Sequence, residues 1–272
     1  MEPVRHLAVN GVEIGYQQVG AGRDLLVVTG NACTMGTWGT TFPHQLSTYF
    51  RVTMFDNRGA GRSTDDQSVP MTIQLLAADT VGLIGALALR RPDVLGWSMG
   101  AEIALAMAVD HEAAIGRLVT TGGDTGGRHA VPASPRVQDM FNDPNPTIDQ
   151  FLDVFFPPGA EAARKRYTQE YRSIPQAAVP AETVRRQGEA ETAFHLDERT
   201  WRGLADVQTP ILVTNGSEDV VNPPANADVI VNRVGSGRVE KVIFDGAGHA
   251  MWFQALDRFV DLVVEFLEPH RR

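Results

Sequence analysis

The sequence predicts an α/β protein with a mostly parallel central sheet, helices on both faces and an inserted all-helical block. Three observations predict it. Short apolar runs end in Gly-rich or Asn-rich turns, helix-spaced apolar segments alternate with them, and strand-like runs stop through the middle of the chain. An unbroken apolar run of strand length marks a strand buried on both faces, and strands alternating with helices imply parallel βαβ units.

The elements follow in order. Val4–Val9 and Val12–Val19 flank Asn10-Gly11 and read as a hairpin with a tight turn. Leu25–Thr29 and Arg51–Asp56 read as buried strands. Thr72–Leu89 carries Leu76, Thr80, Leu83, Ile84 and Leu87 at helical spacing. Val94–Trp97 is a strand running into the small-residue helix Met99–Val109, and Leu118–Thr121 is the next strand. From Gly126 to Arg202 the chain is helical between clustered prolines, among them Pro144 and Pro146. The alternation resumes with strand Pro210–Asn215, helix Pro224–Val234, strand Val239–Phe244 and an amphipathic helix, Met251–Leu267. Because both ends of the helical block rejoin one pattern, the chain reads as one core, residues 1–125 and 203–272, with residues 126–202 inserted.

Composition narrows the function. The 272 residues carry a formal net charge of −9, which argues against nucleic acid as a partner. One cysteine, Cys33, excludes an intrachain disulfide and a multi-cysteine metal knuckle, and it reads as a small semi-buried residue. No signal-like N-terminus and no apolar run of about 18 residues is present, so the expectation is a cytoplasmic protein without a membrane partner.

The strongest chemical signal is Gly96-Trp97-Ser98-Met99-Gly100, set where a strand meets a helix. Such a turn lifts the Ser98 hydroxyl above the strand ends. Glycines two residues to either side allow strand and helix backbones to pass closely. A serine hydroxyl needs a base, and the base needs an orienting acid. His249 follows the last strand in Gly246-Ala247-Gly248-His249, whereas His6, His44, His111, His129, His195 and His270 lack such a loop. Asp219, after the strand Pro210–Asn215, is the favoured acid, with Asp124 as its rival. The order Ser98, Asp219, His249 is that of one known triad class.

With these motifs the chain resembles the α/β-hydrolase fold superfamily over nearly its whole length, and within it the bacterial carboxylesterases. Asp56-Asn57-Arg58-Gly59-Ala60-Gly61-Arg62-Ser63 is similar to the structural D-x-R-G-x-G-x-S turn after the fourth strand. Gly30-Asn31-Ala32 followed by Trp38 resembles the stretch that supplies one oxyanion-hole amide, with Thr29 where histidine is usual. The resemblance implies a hole formed by the backbone N–H groups of Asn31 and Met99, and it implies that residues 126–202 form a helical cap. An apolar pocket under such a cap would draw on Trp38, Trp97, Phe141, Phe155 and Trp252.

The implied activity is hydrolysis of a small apolar ester, methyl ester, lactone or thioester through an acyl-enzyme on Ser98, with no cofactor and no metal. Ser98 argues against the aspartate-dependent dehalogenases and epoxide hydrolases of the fold. The ring-cleavage carbon–carbon hydrolases usually carry Asn before the nucleophile and Trp after the histidine, where this chain has Trp97 and Ala250. A carbon–carbon hydrolase or perhydrolase activity on the same triad, and a ligand-binding protein without turnover, remain as alternatives.

Overall fold

The computed structural model describes residues 3–142, 147–235 and 237–268; Pro144, Pro146 and His270 lie outside them. Its strands are β1 (Arg5–Val9), β2 (Val12–Val19), β3 (Arg23–Val28), β4 (Phe50–Phe55), β5 (Asp93–Trp97), β6 (Leu118–Thr121), β7 (Ile211–Gly216) and β8 (Val239–Phe244). They form one sheet in the order β1-β2-β4-β3-β5-β6-β7-β8. The pairs β1–β2 and β2–β4 are antiparallel and the other pairs are parallel. Asn10 and Gly11, at φ 47° and 82°, make the primed hairpin turn that the Asn-Gly pair predicts.

The period-two geometry of a strand splits the apolar runs between the two faces of the sheet. Leu26, Val28, Val94, Leu118, Ile211 and Val213 join a core with α2 (Ile73–Ala86), α3 (Met99–Asp110) and α9 (Ala225–Val234). Leu25, Val27, Leu95, Val119 and Leu212 face the other core with α1 (Thr41–Ser47), α10 (Met251–Gln254) and α11 (Leu256–Leu267). Fully burying one such side chain stabilises the fold by about 1.5–3 kcal/mol, so both faces must be covered.

The structure differs from the sequence reading at two places. The α1 helix is unassigned from sequence. The expected single helix Met251–Leu267 is two, because Ala255 leaves the helical region at φ −112° and ψ 42°. Beside the break, Gln254 turns back to the preceding loop, donating to the Gly246 carbonyl at 2.8 Å and accepting from the Gly248 amide at 3.1 Å.

Between β6 and β7 the regular elements are all helical: α4 (Pro135–Asn142), α5 (Ile148–Phe155), α6 (Glu161–Ser173), α7 (Ala181–Leu196) and α8 (Arg199–Gly203), with a 3-10 turn at Gly127–His129 ahead of them. Leu152 and Tyr167 from this block join the second core, and Ala190 and Phe194 join the first. The last of these helices, α8, packs on α3 and α9. No helix among the described residues is long and apolar enough to cross a membrane.

Candidate active site

Ser98 links β5 to α3 with φ 57° and ψ −128°, a positive φ that is costly for a residue with a Cβ. The surroundings impose it. The Ser98 amide donates to the Thr121 carbonyl at 3.1 Å, and the Ala101 amide donates to the Ser98 carbonyl at 2.7 Å. A Cβ on Gly96 would lie 2.2 Å from the Gly100 carbonyl oxygen, and one on Gly100 would lie 2.2 Å from that of Val28. Both flanking glycines are therefore required, as the spacing predicts.

His249 stands in the loop between β8 and α10, with Nδ1 2.8 Å from Oδ2 of Asp219. A carboxylate only accepts, so this contact places the imidazole proton on Nδ1 and leaves Nε2 as the acceptor. The other Asp219 oxygen accepts from the amides of Val221 at 2.9 Å and Asn222 at 2.8 Å. The pair is almost completely buried, at 1% exposure for His249 and 3% for Asp219. The turn after β6 passes directly beside it. A Cβ on Gly122 would fall 3.0 Å from Nδ1 of His249 and 3.2 Å from Oδ2 of Asp219, while the next residue, Gly123, lies against Ala101 and the Ser98 carbonyl.

The rival acid is placed differently. Asp124 does not bond His249; its Oδ2 lies 3.1 Å from Nε2 of His195 and accepts from Asn222 Nδ2 at 3.0 Å, and its Oδ1 accepts from the Gly126 amide at 2.7 Å. The sequence passes over His195 because it lies in a helix, 71 residues from Asp124, and no local pattern joins the two.

The loop after β3 approaches Ser98 from the other side. A Cβ on Gly30 would sit 3.0 Å from the Ser98 Cβ, so Asn31 begins one residue from the hydroxyl. The Met99 amide is the first of α3 and has no acceptor within its helix, which leaves it pointed outward with the helix dipole behind it. Two α7 side chains hold the Asn31 loop: Gln187 accepts from the Ala32 amide at 2.8 Å, and Glu191 accepts from the Asn31 side-chain amide. Ala32 itself has φ 54°, so Gln187 secures a strained residue. Sequence reasoning misses Gln187 and Glu191, because only folding brings α7 to this loop. Burial pushes the Glu191 carboxyl up to about 7, opposed by the Asn31 hydrogen bond.

Of the five expected pocket residues, Trp38 and Trp252 are 0% exposed and stack edge to face at 4.9 Å inside the second core. Both rings also pack against Trp97, with centroids 5.9 Å and 5.7 Å away. Trp97 is also buried, and its Nε1 donates to the His249 carbonyl at 3.0 Å. Phe155 faces the imidazole, ring centroids 5.8 Å apart, and Phe151 connects it to Phe141, which is 42% exposed. The Ala250 amide donates to the Phe155 carbonyl at 3.1 Å, so the helical block grips the histidine loop as well as the Asn31 loop.

The Asp56 turn is structural. Its carboxylate accepts from the amides of Met35 and Arg62, both at 2.7 Å, and a Cβ on Gly61 would lie 2.3 Å from Oδ2. Burial raises the Asp56 carboxyl above the usual range, against these two amides. Arg58 forms a buried pair with Asp79 of α2 at 2.7 Å. A cavity of ≈ 210 Å³ beside Asp56, Arg62 and Ile174 is lined by none of Ser98, Asp219 and His249.

The sequence matches the alpha/beta hydrolase family over residues 25–262. The chain belongs to that family, and it is a hydrolase. It is similar to a putative carbamate hydrolase RutD of Caulobacter vibrioides, 24% identical over 91% of each chain. It is also similar to the serine hydrolase BPHL of Mus musculus, 26% identical over 96% of this chain and 85% of that one. In fold it matches an alpha/beta hydrolase fold protein from Chitinophaga pinensis, with a TM-score of 0.83, 23% identity and 98% of each chain covered.

Proposed function

We propose that the protein is a serine hydrolase that cleaves a carboxylic ester of a small apolar substrate, a methyl ester, lactone or thioester included, through an acyl-enzyme on Ser98. The observation that carries this reading is the buried His249–Asp219 pair at 2.8 Å, set across Gly122-Gly123 from a serine in a strained strand-to-helix turn. His249 takes the Ser98 proton through Nε2 as the hydroxyl attacks the carbonyl carbon. Asp219 holds the ring in the Nδ1–H tautomer and stabilises the imidazolium that forms. The Asn31 and Met99 amides receive the oxyanion, where losing one donor typically costs about 2.7–4 kcal/mol. His249 returns its proton to the leaving group, then activates a water that releases the acid and regenerates Ser98.

The helical block serves as a cap in this reading. Its α5 tip lies against the imidazole, α7 fastens the Asn31 loop, and Phe141, Phe151 and Phe155 offer an apolar wall for the acyl group. The names of the two relatives support hydrolytic chemistry. A carbamate and an ester pass through similar tetrahedral intermediates, so both belong to the first substrate panel. Trp97, engaged with the His249 carbonyl, and Ala250 stand where carbon–carbon hydrolases usually carry Asn and Trp.

The test is labelling with a fluorophosphonate probe, followed by turnover of p-nitrophenyl esters of increasing chain length. The wild-type chain labels once, at Ser98, and Ser98→Ala neither labels nor turns over. Labelling that persists at another serine in Ser98→Ala overturns the assignment.

A further inference from the structure

A second cluster of acids lies beside this site, and no step of the acyl-transfer chemistry uses Glu102, Asp124 or His195. Glu102 occupies the first turn of α3, a helix whose residues from Met99 to Ala108 are all buried. It is 3% exposed, and its Oε2 has no hydrogen-bond partner. Asp124, 4% exposed, faces it from the turn after β6, and Glu191 and His195 come from successive turns of α7. Among the described residues no lysine or arginine forms an ion pair with Glu102, Asp124 or Glu191. The basic group that pairs with Asp124 and Glu102 among the described residues is His195, whose Nε2 is 3.1 Å from Asp124 and 3.9 Å from Glu102. Burying a carboxylate without a cation is expensive, and here two fully buried carboxyls share one imidazole.

We infer that Glu102, Asp124 and His195 form a binding site for one divalent transition-metal ion, which ties α7 to α3 and to the turn after β6. The donor atoms of the three all lie within 4.8 Å of one another. A tetrahedral ion about 2.0–2.2 Å from each donor separates its donors by roughly 3.3–3.6 Å, and the His195–Asp124 and His195–Glu102 separations of 3.1 Å and 3.9 Å lie to either side of that span. One imidazole and two carboxylates suit zinc- or manganese-type ions better than calcium, which takes six to eight oxygen ligands. The donors are already oriented. Asn222 Nδ2 and the Gly126 amide hold the Asp124 carboxylate, and the His195 ring also bonds the Glu191 backbone. Such outer contacts aim ligands at a metal. The His195 side chain is 42% exposed, which leaves an entry path and room for water ligands.

The experiment is equilibrium dialysis of the EDTA-stripped full-length protein against Zn²⁺ and, separately, Mn²⁺, with bound metal counted by mass spectrometry and melting followed by calorimetry. The expected result is one ion per chain with a Kd in the micromolar range or tighter, and a rise in Tm with metal concentration. His195→Gln and Glu102→Gln each weaken uptake by at least about tenfold, while the exposed His44→Gln leaves it unchanged. His195→Gln alters a half-exposed ring, so its fold is checked by circular dichroism, and Glu102→Gln keeps the buried shape. No uptake by the wild type at 100-fold excess metal over about 1 µM protein overturns the inference, as does uptake that survives His195→Gln. Saturation of the pocket by methylammonium without metal uptake also overturns it and assigns the cluster to an organic amine.

Discussion

Two histidine–aspartate pairs stand at the carboxyl ends of the sheet, and they are built differently. In His249–Asp219 the histidine rises from a loop directly after β8. Trp97 bonds its backbone, Phe155 and Trp97 flank its ring, and Asp219 spends one oxygen on two backbone amides and the other on Nδ1. In His195–Asp124 the histidine comes from a helix, its side chain is 42% exposed, and one Asp124 oxygen is shared between His195 and Asn222. The first arrangement fixes both tautomer and direction, as a general base requires. The second leaves a half-exposed imidazole among acids, as a ligand would.

Four measurements can break or sharpen that contrast. The largest effect is expected from His249→Ala, which lowers kcat by roughly 10⁵–10⁶-fold on the best ester of the panel; a loss under about 100-fold would remove His249 from the mechanism. Next comes a matched pair of substitutions. Asp219→Asn lowers kcat by about 10⁴-fold by favouring the wrong tautomer, whereas Asp124→Asn costs less than about 100-fold, and equal losses would erase the distinction between the two pairs.

The third measurement gauges how dry the Glu191 side of the site is. Burial pushes the Cys33 thiol up to about 12, with Thr37 lowering it and Glu191 raising it. Iodoacetamide at pH 8 should therefore alkylate Cys33 about 10³-fold more slowly than a free thiol, as mass spectrometry can follow; alkylation at the rate of a free thiol would show the thiol to be solvated. The smallest effect is expected from Trp97→Phe, which removes the donor to the His249 carbonyl while keeping the ring. One lost hydrogen bond of about 1 kcal/mol predicts roughly a fivefold drop in kcat with KM little changed. A tenfold rise in KM alone would move Trp97 from support of the histidine to substrate contact.

Much of this was readable along the chain, for a specific reason. The elbow glycines, the Asn-Gly hairpin and the Asp56 turn are local: each needs a particular residue because an added Cβ would fall 2.2–2.3 Å from a neighbouring atom or because φ is positive at that position. Strands buried on both faces announce themselves as unbroken apolar runs. Apolar character alone does not say which neighbour a side chain meets. Trp38 and Trp252, expected at a pocket, are packed together in the core, and the amphipathic stripe from Met251 to Leu267 conceals the break at Ala255, since both of its pieces bury the same face.

The sequence by itself determined the α/β class, the position of the helical block between β6 and β7, and Ser98 and His249 as candidates. Those features depend on spacing within one strand, turn or helix, where covalent geometry already dictates the outcome. Only the tertiary structure decided that Asp219 rather than Asp124 meets His249, that Gln187 and Glu191 of α7 hold the Asn31 loop, and that Glu102, Asp124 and His195 converge. These contacts join segments 30 to 160 residues apart. Hydrogen bonds and ion pairs at that separation exist only after two core faces have been buried, and no local periodicity encodes them.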